Sequence, residues 1–326
     1  MNCIVLENHF ASVKMQSMKV FVLSPNAETF FSKNDLKKIK SAGDLILVKN
    51  LASFSKVPGL FEGGNDRVLA IDPDFCEWKF PNEDIKKIPH LKAICLQTTS
   101  YNWIDIDVAS KSGVPVINIR DWATQAVVEW IITMSLCLSR RIPLMIKEGW
   151  VQDFNKYQGR EMRGKIAGIL GMGNIGKKLG ETCLGMGMKV IYWSNKSRNK
   201  KFTYKPIKEV IKNSDYIFPV WLSNPDTKKL LPISLIKQVK PTCFWVDINM
   251  AQDSHDRNVL IKLVAEKKLG GYSFETNELK FSDFKGNVMP MPAMAWCTDD
   301  SIKRSADVWS DAIIKATKGI YTNRVN

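Results

Sequence analysis

Residues 164–180, GKIAGILGMGNIGKKLG, decide the fold. Ile166 to Leu170 is an apolar run of strand length and Ile175 to Leu184 opens a helix, so Gly171, Gly173 and Gly176 fall where a strand turns into a helix. Each glycine then has its own use. Gly171 permits the tight turn, Gly173 lets the backbone approach a pyrophosphate, and Gly176 lets the helix lie close on the strand. The helix N-terminus, at Asn174 and Ile175, presents N–H groups to phosphate. The stretch predicts a dinucleotide site.

Working outward from the turn, apolar runs and helical periods alternate on both sides. Ahead of it, strands are expected at Lys19–Leu23, Leu45–Val48, Arg67–Ile71, Leu91–Leu96 and Val114–Ile117. Helices are expected at Lys33–Lys40 and at Ala123–Leu138, the latter apolar enough to be buried between domains or in a dimer interface. Beyond the turn, strands are expected at Lys189–Trp193, Tyr216–Val220, Cys243–Ile248 and Gly271–Phe274. Helices at Ile207–Lys212, Asn258–Lys267 and Ser301–Gly319 complete the series, the last able to return to the first domain. Such alternation predicts an α/β fold with parallel, doubly wound sheets.

Composition narrows the class without naming a function. The 326 residues are 45% hydrophobic and 25% charged, ordinary for a globular protein with two cores. The longest uncharged apolar run, Trp130 to Leu138, is far short of the roughly 20 residues that span a bilayer. Glu7 and His9 interrupt any signal-peptide core, so a cytoplasmic location without membrane contact is expected, with Met1, Met15 or Met18 as the start. Seven cysteines without a C-x-x-C and three histidines predict reduced, mostly buried thiols and no metal site. The net charge of +14 is scattered over pairs such as Lys37-Lys38 and Lys267-Lys268, which suits an anionic cofactor better than a specific nucleic-acid partner.

About 20 residues past the glycine turn, an NAD site places an acid for the ribose hydroxyls. Here Ser194 stands at that position, in YWSNKSRNKK. Without the carboxylate a 2′-phosphate is not repelled, and Lys196, Arg198, Lys200 or Lys201 offer it charge-assisted bonds. NADP is therefore the preferred cofactor, with NAD possible.

Several longer stretches carry a resemblance: LKAICLQTTSYNWIDIDVASKSGVPVIN (91–118), YQGREMRGKIAGILGMGNIGKKL (157–179), VKPTCFWVDINMAQ, RNVLIKLVAEKKLGG and NVMPMPAMAW. Through them the chain resembles the D-isomer-specific 2-hydroxyacid dehydrogenases over nearly its whole length. The resemblance implies two Rossmann-like domains with the active site in the cleft between them. The outer, substrate-binding domain would be 1–120 plus 298–326, the NAD(P)-binding domain 121–297, and the protein a homodimer acting on a small molecule. Thr98 to Tyr101 would lie near the substrate and Glu129 near the hinge, although a strand-end turn and a buried helix carboxylate explain them equally well.

The family's chemistry uses an arginine to clamp the substrate carboxylate, a histidine to donate a proton and a glutamate to hold the histidine charged. By resemblance the arginine slot holds Ala251 or Gln252, depending on a one-residue choice of alignment, and the histidine slot holds Ala293. Glu278 keeps the glutamate, Ser273 replaces the aspartate that contacts the nicotinamide amide, and Val220, Leu222 and Asn224 replace the H-x-P-x-T segment. A positioned acid is worth about 10²- to 10⁴-fold in rate. A charge-assisted contact to arginine adds about 1.5–3 kcal/mol, so ordinary 2-oxo acid reduction is nearly lost.

Two functions remain open at this point. One is an NAD(P)-dependent oxidoreductase with an altered site for a non-standard carbonyl or imine. There Glu278 stabilises an iminium or, protonated, serves as the acid, while Gln252 or Tyr101 gives hydrogen bonds. The other is a catalytically inactive NAD(P)-binding scaffold. His255, close in sequence to the missing arginine, is either a substitute acid or a surface residue opening the following helix.

Overall fold

The computed structural model describes residues 18–49, 54–221, 227–248, 254–277 and 283–326. These residues fall into two compact units, one drawn from the described residues up to 122 and from 302 to 326, the other from those between 123 and 301. Both are α/β, as the alternating pattern requires.

The first unit carries β1 (Lys19–Leu23), α1 (Ala27–Phe30), α2 (Lys33–Ala42), β2 (Asp44–Val48), β3 (Arg67–Ile71), β4 (Leu91–Leu96), α3 (Ile106–Lys111) and β5 (Val116–Ile117). Its parallel sheet has the order β2-β1-β3-β4-β5. The central strands KVFVL and RVLAI are buried along both faces, so their sequence is continuously apolar rather than alternating. Ser32 starts α2 through a capping box in which its hydroxyl accepts from the Asp35 N–H and the Asp35 side chain accepts from the Ser32 N–H.

One buried cation organises the loop before β3. The Arg67 side chain is fully buried and donates to the carbonyls of Leu60 (2.6 Å), Glu62 (2.9 Å), Gly63 (3.2 Å) and Asn65 (3.1 Å). The planar five-donor fork suits so many acceptors, and burial pushes the guanidinium below its ordinary value.

In the second unit, α4 (Thr124–Ser139) and α5 (Ile142–Lys147) precede β6 (Ile166–Leu170), α6 (Asn174–Gly185), β7 (Lys189–Trp193), β8 (Thr203–Tyr204), α7 (Ile207–Asn213) and β9 (Tyr216–Pro219). There follow α8 (Ile233–Ile236), β10 (Phe244–Asp247), α9 (Arg257–Ala265), β11 (Gly271–Glu275) and β12 (Val288–Met291). All strands are parallel in the order β12-β11-β10-β9-β6-β7-β8. The order reverses at β6, the strand that feeds the glycine turn. That reversal opens the crevice at the strands' C-terminal ends where α/β sheets hold ligands.

The structure differs from the sequence expectations at several places. β12 is not among the expected strands; its Pro290 is tolerated because β12 is an edge strand and needs no full ladder. The last helix, α10 (Asp299–Thr317), begins two residues before Ser301. Thr298 and Ser301 cap it reciprocally, each hydroxyl accepting from the other's N–H at 3.1–3.2 Å. Its Trp309 is fully buried in the first unit, stacks on Phe31 at 5.2 Å and donates to the Cys95 carbonyl at 3.1 Å. Glu129 is exposed rather than buried, and accepts a 2.6 Å bond from Gln125 one turn earlier. Of the described cysteines, Cys95, Cys183 and Cys243 are buried while Cys76, Cys137 and Cys297 are half-buried, and all are unbridged.

Candidate active site

The glycine turn is built as its spacing demands. β6 runs into Gly171, whose φ of 112° lies outside the range of L side chains, and a Cβ there would stand 2.7 Å from the Trp221 nitrogen. A Cβ on Gly176 would stand 2.1 Å from the Gly171 carbonyl oxygen, so only glycine lets α6 approach the turn. Gly173 is the N-cap of α6 and a Cβ on it would meet nothing within 4 Å. That open side is the approach a pyrophosphate needs. No side chain caps α6 and no acid sits in its first turn, so the positive end of the helix faces the turn uncompensated. Among the described residues the cradle fits a dinucleotide.

Ser194 follows β7 directly and is buried beside the turn, where the Gly171 N–H donates to the Trp193 carbonyl at 2.8 Å. Arg198 folds back toward it. Its Nη1 donates to the carbonyls of Ser194 (2.9 Å) and Ser197 (3.0 Å), and its guanidinium lies 4.0 Å from the centre of the Tyr204 ring. The Nε and Nη2 donors have no partner among the described residues. Lys196, on the same exposed loop, keeps its own contacts, whereas Lys201 pairs with Glu181 at 2.9 Å. Arg198 is thus held beside Ser194 by two hydrogen bonds and a ring contact.

The loop after β4, in the first unit, turns its carbonyls inward. Thr98 accepts from the Ile119 N–H, Thr99 from Asn118 Nδ2 at 2.6 Å, Ser100 from Thr98 Oγ1 and Trp103 Nε1, and Tyr101 from the Ile104 N–H. With every carbonyl satisfied, the N–H groups of Thr99, Ser100 and Tyr101 donate to nothing among the described residues. Successive main-chain N–H groups without protein partners can serve an anionic group. Tyr101 itself is half-buried against the core of this unit.

Where β10 and β11 end, the second unit buries several polar groups. His255 is buried, correcting the surface expectation: its Nε2 meets Asp247 Oδ2 at 2.8 Å and its Nδ1 meets Ser254 Oγ at 2.9 Å, beneath the Trp245 ring. Both ring nitrogens are engaged in the interior. Arg257 lies 4.3 Å over the Phe274 ring and donates to the Glu275 carbonyl at 3.2 Å.

Glu275, which sequence reasoning passed over in favour of Glu278, ends β11 with its side chain buried and accepts from the Ala295 N–H at 3.1 Å. Burial, with the negative Asp247 nearby, pushes its carboxyl up to about 7 against the pull of the Ala295 amide. The signal available was a charged residue closing the apolar strand GYSFE, on the same face as Ser273.

Ser273 is fully buried and donates to the Met289 carbonyl at 2.9 Å. Ala293 is half-buried and its N–H donates to Asn277 Oδ1 at 3.3 Å. Glu278, Gln252, Ala251, Leu222 and Asn224 lie outside the described residues. Among those described, no three acidic, histidine or cysteine residues gather in a metal-holding group, and no helix is long and apolar enough to cross a membrane.

Residues 132–288 match the family model for the NAD-binding domain of D-isomer-specific 2-hydroxyacid dehydrogenases. The chain is 26% identical over 269 residues to an aromatic 2-oxoacid reductase of Clostridium sporogenes, covering 80% of this chain and 78% of that one. It is 25% identical over 262 residues to a glyoxylate reductase of Pyrococcus furiosus, with coverage of 74% and 77%. Other curated relatives are matched over 64–65% of their length. Among solved structures, an acyclic imino acid reductase in complex with NADPH and D-Arg superposes with a TM-score of 0.78 at 21% identity, over 95% of this chain and all of that one. The matching domain model and the shared fold agree with the glycine turn: residues 132–288 are similar to the NAD-binding domain of the D-isomer-specific 2-hydroxyacid dehydrogenases, and the relatives named here are reductases.

Proposed function

We propose that the protein is an NADP-preferring reductase whose substrate is an imine, or a carbonyl that supplies its own activation, rather than an ordinary 2-oxo acid. The observation that carries the reading is the pairing of an intact cofactor cradle with Ala293 at the position where the family's proton donor stands. Bound NADPH supplies a hydride. An iminium carries its own positive charge and needs no proton during hydride arrival, so an alanine in that slot is no handicap to it. The amides of Thr99, Ser100 and Tyr101 suit a substrate carboxylate, a role left to them when the arginine slot holds Ala251 or Gln252. Glu278 keeps its proposed role as the charge that faces the cation, with Gln252 and Tyr101 as hydrogen-bonding partners. The likeness in fold to a reductase of acyclic imino acids that binds NADPH supports the same reading.

Cofactor choice rests on Arg198 and Ser194. Removing a charge-assisted contact worth about 1.5–3 kcal/mol weakens binding by roughly tenfold to a hundredfold. Arg198→Ala is therefore expected to raise the Kd for NADPH by that factor and leave the Kd for NADH within about twofold. Fluorescence titration of both nucleotides checks this, and an equal loss for the two removes the assignment.

The functional unit in this reading is a homodimer. Trp150, Val151 and Phe154 stand 61–79% exposed beside a groove of about 900 Å³ lined by Arg140, Met145 and Tyr157. That much exposed apolar surface calls for cover. Light scattering that gives the mass of one chain at micromolar concentration contradicts it.

The alternative of a catalytically inactive scaffold draws on the same Ala293, and turnover separates the two. Assays of NADPH oxidation with cyclic imines, imino acids, neutral ketones and 2-oxo acids decide between them.

A further inference from the structure

In a doubly wound sheet of this order, the half beyond the switch point, here β9, β10 and β11, underlies the second nucleotide of a dinucleotide, the one that bears the nicotinamide. Glu275 closes β11 and Asp247 closes β10, in adjacent parallel strands whose register pairs Asp247 with Phe274. Both carboxyls are buried, and the pair stands at the strand ends where the nicotinamide half of the crevice begins. The Glu275 carboxyl also holds the Ala295 N–H, in the short segment that carries Ala293.

The groups around Glu275 do not neutralise it. From β10 comes Asp247, of the same sign and already committed to His255 at 2.8 Å. From α9 comes Arg257, whose guanidinium reaches the Glu275 main-chain carbonyl and stacks on Phe274. From α4 come the indole of Trp130, whose buried Nε1 makes no hydrogen bond of good geometry, and Glu129, which is exposed. β12 contributes no ionisable side chain, and the segment after it contributes the amides of Met294 and Ala295 and the half-buried Cys297.

Resting on the cofactor reading above, we infer that Glu275 is a proton store coupled to the oxidation state of the bound nucleotide, protonated beside neutral NADPH and ionised beside the cationic ring of NADP⁺. The direction follows from charge alone: a cation nearby favours the carboxylate, so NADP⁺ binding releases a proton that NADPH binding leaves in place. The carboxyl of the free protein titrates near neutrality, about 7, so the release occurs in an accessible pH range. Affinity for NADP⁺ relative to NADPH then rises as pH increases through that range. The gain is about tenfold for each unit by which the ring charge displaces the carboxyl's midpoint. The nucleotide's own 2′-phosphate titrates near 6 but is common to both forms, so the ratio of affinities is free of it.

The test is calorimetric titration of the wild-type chain and of Glu275→Gln with NADP⁺ and NADPH separately, from pH 5.5 to 8.5, in buffers of different ionisation enthalpy. Glutamine keeps an acceptor for the Ala295 N–H and cannot ionise. The wild type should release a substantial fraction of one proton with NADP⁺ below pH 7 and shift its affinity ratio about tenfold across the range, while Glu275→Gln shows neither. Asp247→Asn, which keeps Glu275 and removes the neighbouring negative charge, should move the proton release to lower pH, a readout available even if Glu275→Gln proves unstable. A flat ratio in the wild type with both nucleotides bound, or an unchanged pH dependence in Glu275→Gln, overturns the inference. Binding of neither nucleotide overturns the cofactor reading on which it rests.

Discussion

Gly173→Val is expected to abolish dinucleotide binding, raising Kd by at least about a hundredfold, while the protein remains folded. The two halves of that expectation have separate physical causes. A Cβ at 173 meets nothing within 4 Å among the described residues, so little packing is disturbed. The residual cost is that of a poorer N-cap, about 1 kcal/mol. The same open volume is where the pyrophosphate must approach the helix N-terminus, and a branched side chain fills it. Gly176→Ala supplies the contrast, because its Cβ would lie 2.1 Å from the Gly171 carbonyl and the helix must move off the turn. That variant should lose about 1–3 kcal/mol of stability along with its binding. Thermal melts beside nucleotide titrations distinguish the pair, and NADPH bound normally by Gly173→Val would show that the turn holds no pyrophosphate.

A second large effect is expected at the buried histidine. His255 and Asp247 are 2–3% exposed at their side chains and 2.8 Å apart, so removing one breaks a hydrogen-bonded pair in the interior. His255→Leu should destabilise the protein by about 3–5 kcal/mol. In a domain of this size that lowers Tm by about 6–20 °C. Replacing both, Asp247→Leu with His255→Leu, should recover part of the loss, since breaking a buried pair from one side costs more than the pair's net contribution. A double-mutant cycle measured in urea checks this. Additive losses would mean that the two side chains do not act as a pair.

How legible these features were depended on whether their cause is local. The turn at 171–176 was readable because an apolar run, spaced glycines and a helical period lie within one short stretch, and Ser194 because it sits at a fixed distance beyond. The α/β class followed from the same alternation. Residues whose partners come from elsewhere in the chain were not readable. His255 sits one residue before the Asp256 N-cap, where a surface position is the ordinary expectation, and only the arrival of β10 brings Asp247 against it. Glu275 was hidden for a related reason: an acid closing an apolar strand gives no sign that α4 and the 294–295 amides will enclose it. β12 was not among the expected strands, and the edge position that lets it hold Pro290 is a property of the assembled sheet.

In the proposed reading, a sound cofactor site serves a chemistry that needs no histidine. The family resemblance predicts the holder, and the departures from it predict the substrate class. Both stand or fall on the nucleotide turning over. The most direct measurement is NADPH oxidation with a panel of cyclic imines, acyclic imino acids, neutral ketones and 2-oxo acids, run beside an NADH series. Saturable NADPH binding, tighter than NADH, with imines reduced faster than 2-oxo acids is the predicted result. Tight binding with no turnover of any class would contradict it and leave the scaffold reading in its place.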